Sequence, residues 1–400
     1  MAEEVVFVDA VRTPIGRYNG MLKSVRPDDL GAIVIKALLE RNPEIKPAEI
    51  EEVILGNANQ AGEDNRNVAR MSALLAGLPV EIGGSTVNRL CGSGLDAVNY
   101  AARAILAGEG EIFIAGGTES MTRAPFVMAK PQMEYPRGNM ELYDTTIGWR
   151  FTNESLRTVY GAESMPETAE NVAKEYAVSR EEQDRFALES QQRARVAIQN
   201  GLFKEEISPV TYKDRKGNEC IAEKDEHPRP ETTFEKLSQL KPIFPNGTIT
   251  AGNSSGVNDG ASALLLMSSK KAEQLGLKPL AKYVVSAAAG VHPSVMGIGP
   301  VISTKKALKR AGLSISDIDL IELNEAFAAQ SIACMKLLHL DPDKVNVNGG
   351  AIAFGHPLGA SGARILTTLL FEMKRRNARF GLATMCVGVG QGISTIVESV

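Results

Sequence analysis

The chain has 400 residues, too many for one ordinary hydrophobic core, so two or three domains are expected. With 44% apolar and 23% charged side chains, its composition is that of a water-exposed globular protein. A net charge of −4 leaves no basic footprint for nucleic acid, and no apolar run approaches the roughly 18 residues that would cross a membrane.

In chain order, the acidic start Met1-Ala2-Glu3-Glu4 leads into a strand-like stretch, Val5–Asp9. The start resembles neither a secretory signal nor an Arg-rich transit segment, and Glu398-Ser399-Val400 is no peroxisomal address, so a cytoplasmic location is expected. Leu30–Glu40 reads as a helix, Val53–Leu55 as a strand and Ile112–Ala115 as a short buried strand. This alternation predicts α/β architecture.

An internal repeat is visible. Ile50–Asn59, an acidic-flanked apolar stretch ending in Asn and small residues, parallels Ile318–Ala326. Val87-Asn88 followed by Cys91-Gly92-Ser93-Gly94 parallels Val347-Asn348 followed by Gly359-Ala360-Ser361-Gly362. Each leads into a helix and then a buried strand, Ile112–Ala115 or Leu382–Met385. The period is too long for a solenoid and predicts a duplicated α/β unit with pseudo-twofold symmetry.

Between the halves the composition shifts: residues 201–250 hold more than twice as many charged side chains as residues 351–400. Ser179 and Glu182 make a capping box, and Gly201 stops the helix that follows. Residues 123–247 therefore read as an inserted, exposed lobe, with loops at Pro228, Pro230, Pro242 and Pro245 shaping a substrate entrance. The expected domains are 1–122, completed by about 248–272; the lobe 123–247; and 273–400.

Four segments can carry chemistry. Cys91 stands where a strand-like segment turns into a helix with apolar residues at Leu95, Val98, Ala102 and Ile105; free N–H groups at that helix end favour a thiolate. Gly349–Gly362 holds five glycines around His356, a candidate base for a thiol or an ordinary structural histidine. Cys386 ends a buried strand ahead of Gly388, whose N–H could serve an oxyanion. Asn324, after the strand Asp319–Leu323, could orient a water or a carbonyl. A phosphate loop is absent, Cys334 and His339 lack further zinc ligands, and Gly359-Ala360-Ser361 lacks the last glycine of a nucleophile elbow.

Taken together, Val87–Gly94, Asn324–Ala328, Gly355–Gly359 and Cys386–Gly392 resemble the motifs of the thiolase family in order and spacing. Asp9–Gly16 and Thr250–Gly260 match as well, so the resemblance spans essentially the whole chain. It implies two repeated α/β halves in five layers (αβαβα) and a homotetramer built as a dimer of dimers through an arm of the inserted lobe. It implies no metal and no permanently bound cofactor, with CoA as co-substrate. By resemblance Cys91 is the acylated nucleophile, His356 activates it, and Asn324 holds a water at one oxyanion hole. Cys386 moves a proton at carbon, and the N–H groups of Cys91 and Gly388 form the second hole. Arg229, Phe244, Ser255, Met296, Ala326 and Phe327 match positions along the CoA path, and Met165 one beside the acyl unit.

Ser164 stands where many acetoacetyl-CoA-cleaving members have histidine. Ala61–Arg70, Asp144–Phe151 and Ser164–Asn171 instead resemble members that cleave 3-oxoadipyl-CoA. A substrate ending in a carboxylate calls for a cation, and Arg66, Arg123 and Arg150 are the candidates. Acetoacetyl-CoA and general 3-ketoacyl-CoA cleavage remain alternatives, with a non-catalytic acyl-CoA carrier as the reading from another class. Were Cys91 and Cys386 neighbours, they could also oxidise together.

Overall fold

The computed structural model describes residues 3–214 and 216–400; Met1 and Ala2 of the acidic start lie outside the described residues, as does Arg215. The strands are β1 (Val5–Arg12), β2 (Glu52–Gly56), β3 (Gly83–Val87), β4 (Ile112–Ser120), β5 (Asn258–Ser268), β6 (Ala281–Gly290), β7 (Leu320–Leu323), β8 (Phe380–Val387) and β9 (Gln391–Glu398). The main helices are α1 (Pro27–Arg41), α2 (Val68–Leu75), α3 (Ser93–Ala107), α4 (Arg180–Gln199), α5 (Gly299–Ala311), α6 (Ala328–Leu338) and α7 (Leu358–Arg376). The strands line up as β7-β8-β9-β6-β1-β5-β4-β2-β3.

The duplication is written into that order. In one half β1-β5-β4-β2-β3 run side by side, with β2 parallel to both β3 and β4. In the other, β6-β9-β8-β7 repeat the pattern, and the parallel bridge Ile321↔Val345 stands where β3 would be. Among the described residues the two half-sheets pair at Val6↔Lys282 and Phe7↔Ala281.

Residues alternate between faces of a strand, and here both faces are covered. Phe113 and Ala115 of β4 join Leu95 and Val98 of α3, Leu366 and Leu369 of α7 and Met385 of β8 in one central core. Ile112 and Ile114 turn the other way, onto Leu30, Val34 and Leu38 of α1. On the far side Leu382 and Ile396 meet Val301 and Leu308 of α5. Five layers result: α1 with α2, a half-sheet, α3 with α7, the second half-sheet, and α5 with α6. Because α3 and α7 fill the middle, nearly all of α7 as far as Met373 is buried.

Several elements extend past the sequence reading: Ile112–Ala115 runs on to Ser120, and Leu382–Met385 is part of Phe380–Val387. The first strand runs to Arg12 because its guanidinium is satisfied while buried, by Glu206 at 2.6 Å and Asp225 at 2.7 Å. The first helix begins at Pro27, whose fixed φ suits the opening position. Residues 123–247 hold two short hairpins, Phe126–Val127 with Tyr143–Asp144 and Val210–Lys213 with Glu219–Ala222, together with α4, capped by Ser179 and Glu182. Among the described residues no helix is long and apolar enough to cross a membrane.

Candidate active site

Cys91 lies just ahead of α3 on a turn that the sequence makes tight. Leu90 takes the left-handed conformation (φ 46°), uncommon for a side chain with a Cβ. The Ser93 hydroxyl holds this turn, accepting the Arg89 N–H at 2.9 Å and donating to Leu90 O at 2.6 Å. Asn88 fastens it from the other side: its Oδ1 accepts the Leu90 N–H at 2.8 Å and its Nδ2 donates to Ala58 O at 3.0 Å. A second strained residue, Val389 (φ 61°), follows Gly388, where β8 turns into β9. Such backbone persists only where its surroundings over-determine it, and both instances border the same cavity.

That cavity, about 500 Å³, is lined by Cys91, His356, Cys386 and Gly388 from three separate stretches of chain. Cys91 is half-buried. Burial pushes its thiol up to about 11, opposed by the N–H groups of Gly388 and of Cys91 itself, which donate toward the sulfur. The helix end expected to favour a thiolate is therefore outweighed by desolvation in the resting protein. Burial holds Cys386 well above the ordinary thiol range, and the nearby Cys91 raises it further.

His356 is buried, and desolvation, aided by Arg364, pushes its imidazole down to about 3, so the ring is neutral. Its Nδ1 lies 2.6 Å from Ser361 Oγ, which also donates to Pro357 O at 3.0 Å. One hydroxyl proton cannot serve both contacts. The ring therefore donates Nδ1–H to the serine and keeps Nε2 as the open acceptor. Asn258 Oδ1 fixes the His356 backbone by accepting its N–H at 3.0 Å.

The halves interlock at this point. A Cβ on Gly94 would come within 2.6 Å of Gly359 O, so only glycine lets α3 reach the loop after His356. Glu119, at the end of β4, accepts the N–H groups of Ala58 and Gly359, each at 2.8 Å. Burial pushes its carboxyl up to about 7. Sequence reading missed both Glu119 and Ser361. A charged residue closing the buried run Ile112–Thr118 was the signal for the first; the second has none beyond its place in the glycine-rich loop.

Among the remaining expected residues, Met165, Ser255, Met296, Ala326 and Phe327 line the cavity, and Ile147, Trp149 and Arg150 border it too. Asn324 sits at the end of β7, its side-chain amide buried with neither atom partnered. Arg229 lies instead in an adjoining groove with Arg17 and Lys236, and Phe244 is not in the cavity wall, where its neighbour Ile243 is. Arg66 is exposed outside the cavity, and Arg123 is engaged bidentately by Glu63. Cys334 is a core thiol in α6, bonded to Gly297 O at 3.2 Å. Among the described residues no cluster of three or more His, Cys, Asp or Glu is placed to hold a metal ion.

Residues 5–270 match the family model described as Thiolase, N-terminal domain, and residues 277–399 match that described as Thiolase, C-terminal domain. The chain is 58% identical over 400 residues to the 3-oxoadipyl-CoA/3-oxo-5,6-dehydrosuberyl-CoA thiolase of Escherichia coli strain K12, covering 99% of this chain and 100% of that one. It is 57% identical over 403 residues to the beta-ketoadipyl-CoA thiolase of Pseudomonas aeruginosa, covering 100% of both. Its fold superposes on the crystal structure of the Bacillus anthracis acetyl-CoA acetyltransferase with a TM-score of 0.94 at 43% identity, over 100% of this chain and 99% of that one.

Proposed function

The chain belongs to the thiolase family, and on that premise we propose that it cleaves 3-oxoadipyl-CoA with free CoA, giving succinyl-CoA and acetyl-CoA. Full-length identity to relatives named for that substrate supports the choice, and Ser164 in place of the histidine of many acetoacetyl-CoA-cleaving members agrees with it. The single observation that carries the mechanism is the meeting of Cys91, Cys386, His356 and the Gly388 N–H on one cavity.

In the proposed reaction, Nε2 of neutral His356 takes the Cys91 proton as the sulfur attacks the 3-oxo carbon. The bond between carbons 2 and 3 breaks, its electron pair passing into the enolate of acetyl-CoA. His356 and a water on the unpartnered Asn324 amide stabilise that enolate oxygen. Cys386 delivers the proton to carbon; a thiol held neutral by burial is suited to this task. The succinyl group stays on Cys91, its carbonyl oxygen held by the Cys91 and Gly388 N–H groups, until CoA attacks and releases succinyl-CoA. Met165, Met296, Ser255, Ala326 and Phe327 would line the path of the pantetheine arm. Arg229 and Phe244 would meet CoA further out, with Arg17 and Lys236 supplying charge for its phosphates.

We also read 1–122 with 248–272 as the first half, 123–247 as the inserted lobe and 273–400 as the second half. A homotetramer is proposed, with the exposed apolar side chains Phe126, Met133, Tyr135 and Leu142 of the lobe as the contact. Four free cysteines, one of them the nucleophile, suit the reducing cytoplasm.

The test is the thiolysis rate of the purified protein on 3-oxoadipyl-CoA, acetoacetyl-CoA and a medium-chain 3-oxoacyl-CoA. The highest kcat/KM is expected for the first, and loss of cleavage in Cys91→Ala. Preference for acetoacetyl-CoA would make the chain an acetyl-CoA acetyltransferase, preference for the medium chain a general 3-ketoacyl-CoA thiolase, and no cleavage a carrier.

A further inference from the structure

Two charged side chains, Glu119 and Arg150, face the cavity that holds Cys91. Glu119 is occupied, its two oxygens accepting three backbone N–H groups and the Asn57 amide. Arg150 is not: among the described residues one of its five N–H donors is used, on Asn59 O at 3.2 Å, and no carboxylate pairs with it. We propose that Arg150 is the specificity-determining residue of this enzyme, binding the distal carboxylate of a dicarboxylic 3-oxoacyl chain; the proposal rests on the thiolytic reading above.

A short chain of contacts ties the guanidinium to the turn that carries Cys91. Asn59, which Arg150 touches, follows Ala58, and Ala58 O accepts the amide of Asn88, which also holds the turn before Cys91. Arg150 is thus two hydrogen bonds from the nucleophile's own turn, and it is not among the residues of the basic groove that holds Arg229. The segment that carries it is pinned although it belongs to no helix or sheet. Asn59 Nδ2 donates to Thr145 O at 3.1 Å, Trp149 Nε1 donates to Glu163 O at 3.1 Å, and Phe151 packs against Tyr143 with ring centroids 5.0 Å apart.

The rest of the wall makes the choice sharp. Leu90, Met121, Ile147 and Met165 offer an acyl chain apolar surface, and the polar residues beside them, Asn59, Asn88, Thr145, Thr146 and Ser164, carry no charge. A carboxylate entering this space loses hydration and must find a cation. Arg150 supplies a planar fork of donors that matches a carboxylate bidentately. The succinyl group on Cys91 would carry its carboxylate at the far end of a four-carbon unit, within the cavity that Arg150 also lines.

The experiment compares 3-oxoadipyl-CoA with 3-oxohexanoyl-CoA, the same chain ending in methyl, on wild type, Arg150→Gln and Arg150→Lys. In wild type the carboxylated substrate should be preferred. Arg150→Gln should lose kcat/KM for it by about ten- to a hundredfold while keeping, or raising, that for 3-oxohexanoyl-CoA; Arg150→Lys should recover part of the loss. Retained cleavage of 3-oxohexanoyl-CoA shows that the variant is folded. Equal losses on both substrates, or a preference intact in Arg150→Gln, would overturn the role of Arg150 and leave the substrate reading standing. A wild type with no preference for the carboxylated chain would overturn both.

Discussion

The carboxylate of Glu119 accepts the backbone N–H of Gly359 at 2.8 Å, so a strand of the first half holds the loop that carries His356 in the second. Cys91 and His356, the proposed nucleophile and base, come from opposite halves of the duplication, which are held together here by this contact and by the closeness of Gly94 to Gly359 O.

Glu119→Gln should therefore destabilise the protein by about 1–3 kcal/mol, since an NH2 group would face N–H donors. It should lower kcat on every substrate alike, unlike a change at Arg150. Burial holds the carboxyl up at about 7, above its unfolded value. The stability it contributes is then fully present below the unfolded pKa and lost as pH rises through the folded one. Thermal denaturation at pH 5 and pH 8 should show the gap between wild type and variant narrowing at the higher pH.

A thiol pushed up to about 11 beside an imidazole pushed down to about 3 makes a neutral resting pair, not an ion pair. The rate of Cys91 alkylation by iodoacetamide should rise about tenfold per pH unit from 7 to 10 without levelling. A plateau already reached near neutrality would mean a preformed thiolate–imidazolium pair.

Ser361→Ala removes the acceptor that fixes the His356 tautomer. The expected loss is about ten- to a hundredfold in kcat, with KM for CoA nearly unchanged. Alkylation of Cys91 at fixed pH should fall in parallel, a readout that loss of packing alone would not give.

Arg12, buried between Glu206 and Asp225, lies away from the reacting groups. Arg12→Ala would leave two carboxylates uncompensated in the interior and should cost about 3–5 kcal/mol of stability. Urea denaturation checks this, and kcat per folded molecule should stay close to that of wild type.

Much of this was legible before the structure. The paired motifs around Cys91 and Gly359 reported the duplication, because each half needs the same strand, turn and helix. The capping box at Ser179 fixed the start of α4 because it is a local signal. What escaped was non-local. Arg12 in a strand looks like an edge until Glu206 and Asp225 arrive from the lobe to bury it. Glu119 and Ser361 act through contacts with backbone far along the chain or with one ring nitrogen, which no spacing announces. Among Arg66, Arg123 and Arg150 the sequence offered no choice; the place of Arg150 on the cavity, the engagement of Arg123 by Glu63 and the exposure of Arg66 separate them.

The central claim is a succinyl group carried on Cys91. Incubating the protein with 3-oxoadipyl-CoA in the absence of free CoA, quenching with acid and mapping peptides by mass spectrometry reads it directly. A succinyl adduct on the peptide containing Cys91, released on addition of CoA and missing from Cys91→Ala, is the predicted result. An adduct on Cys386 instead, or acetyl-CoA formed with Cys91 unmodified, would contradict the account.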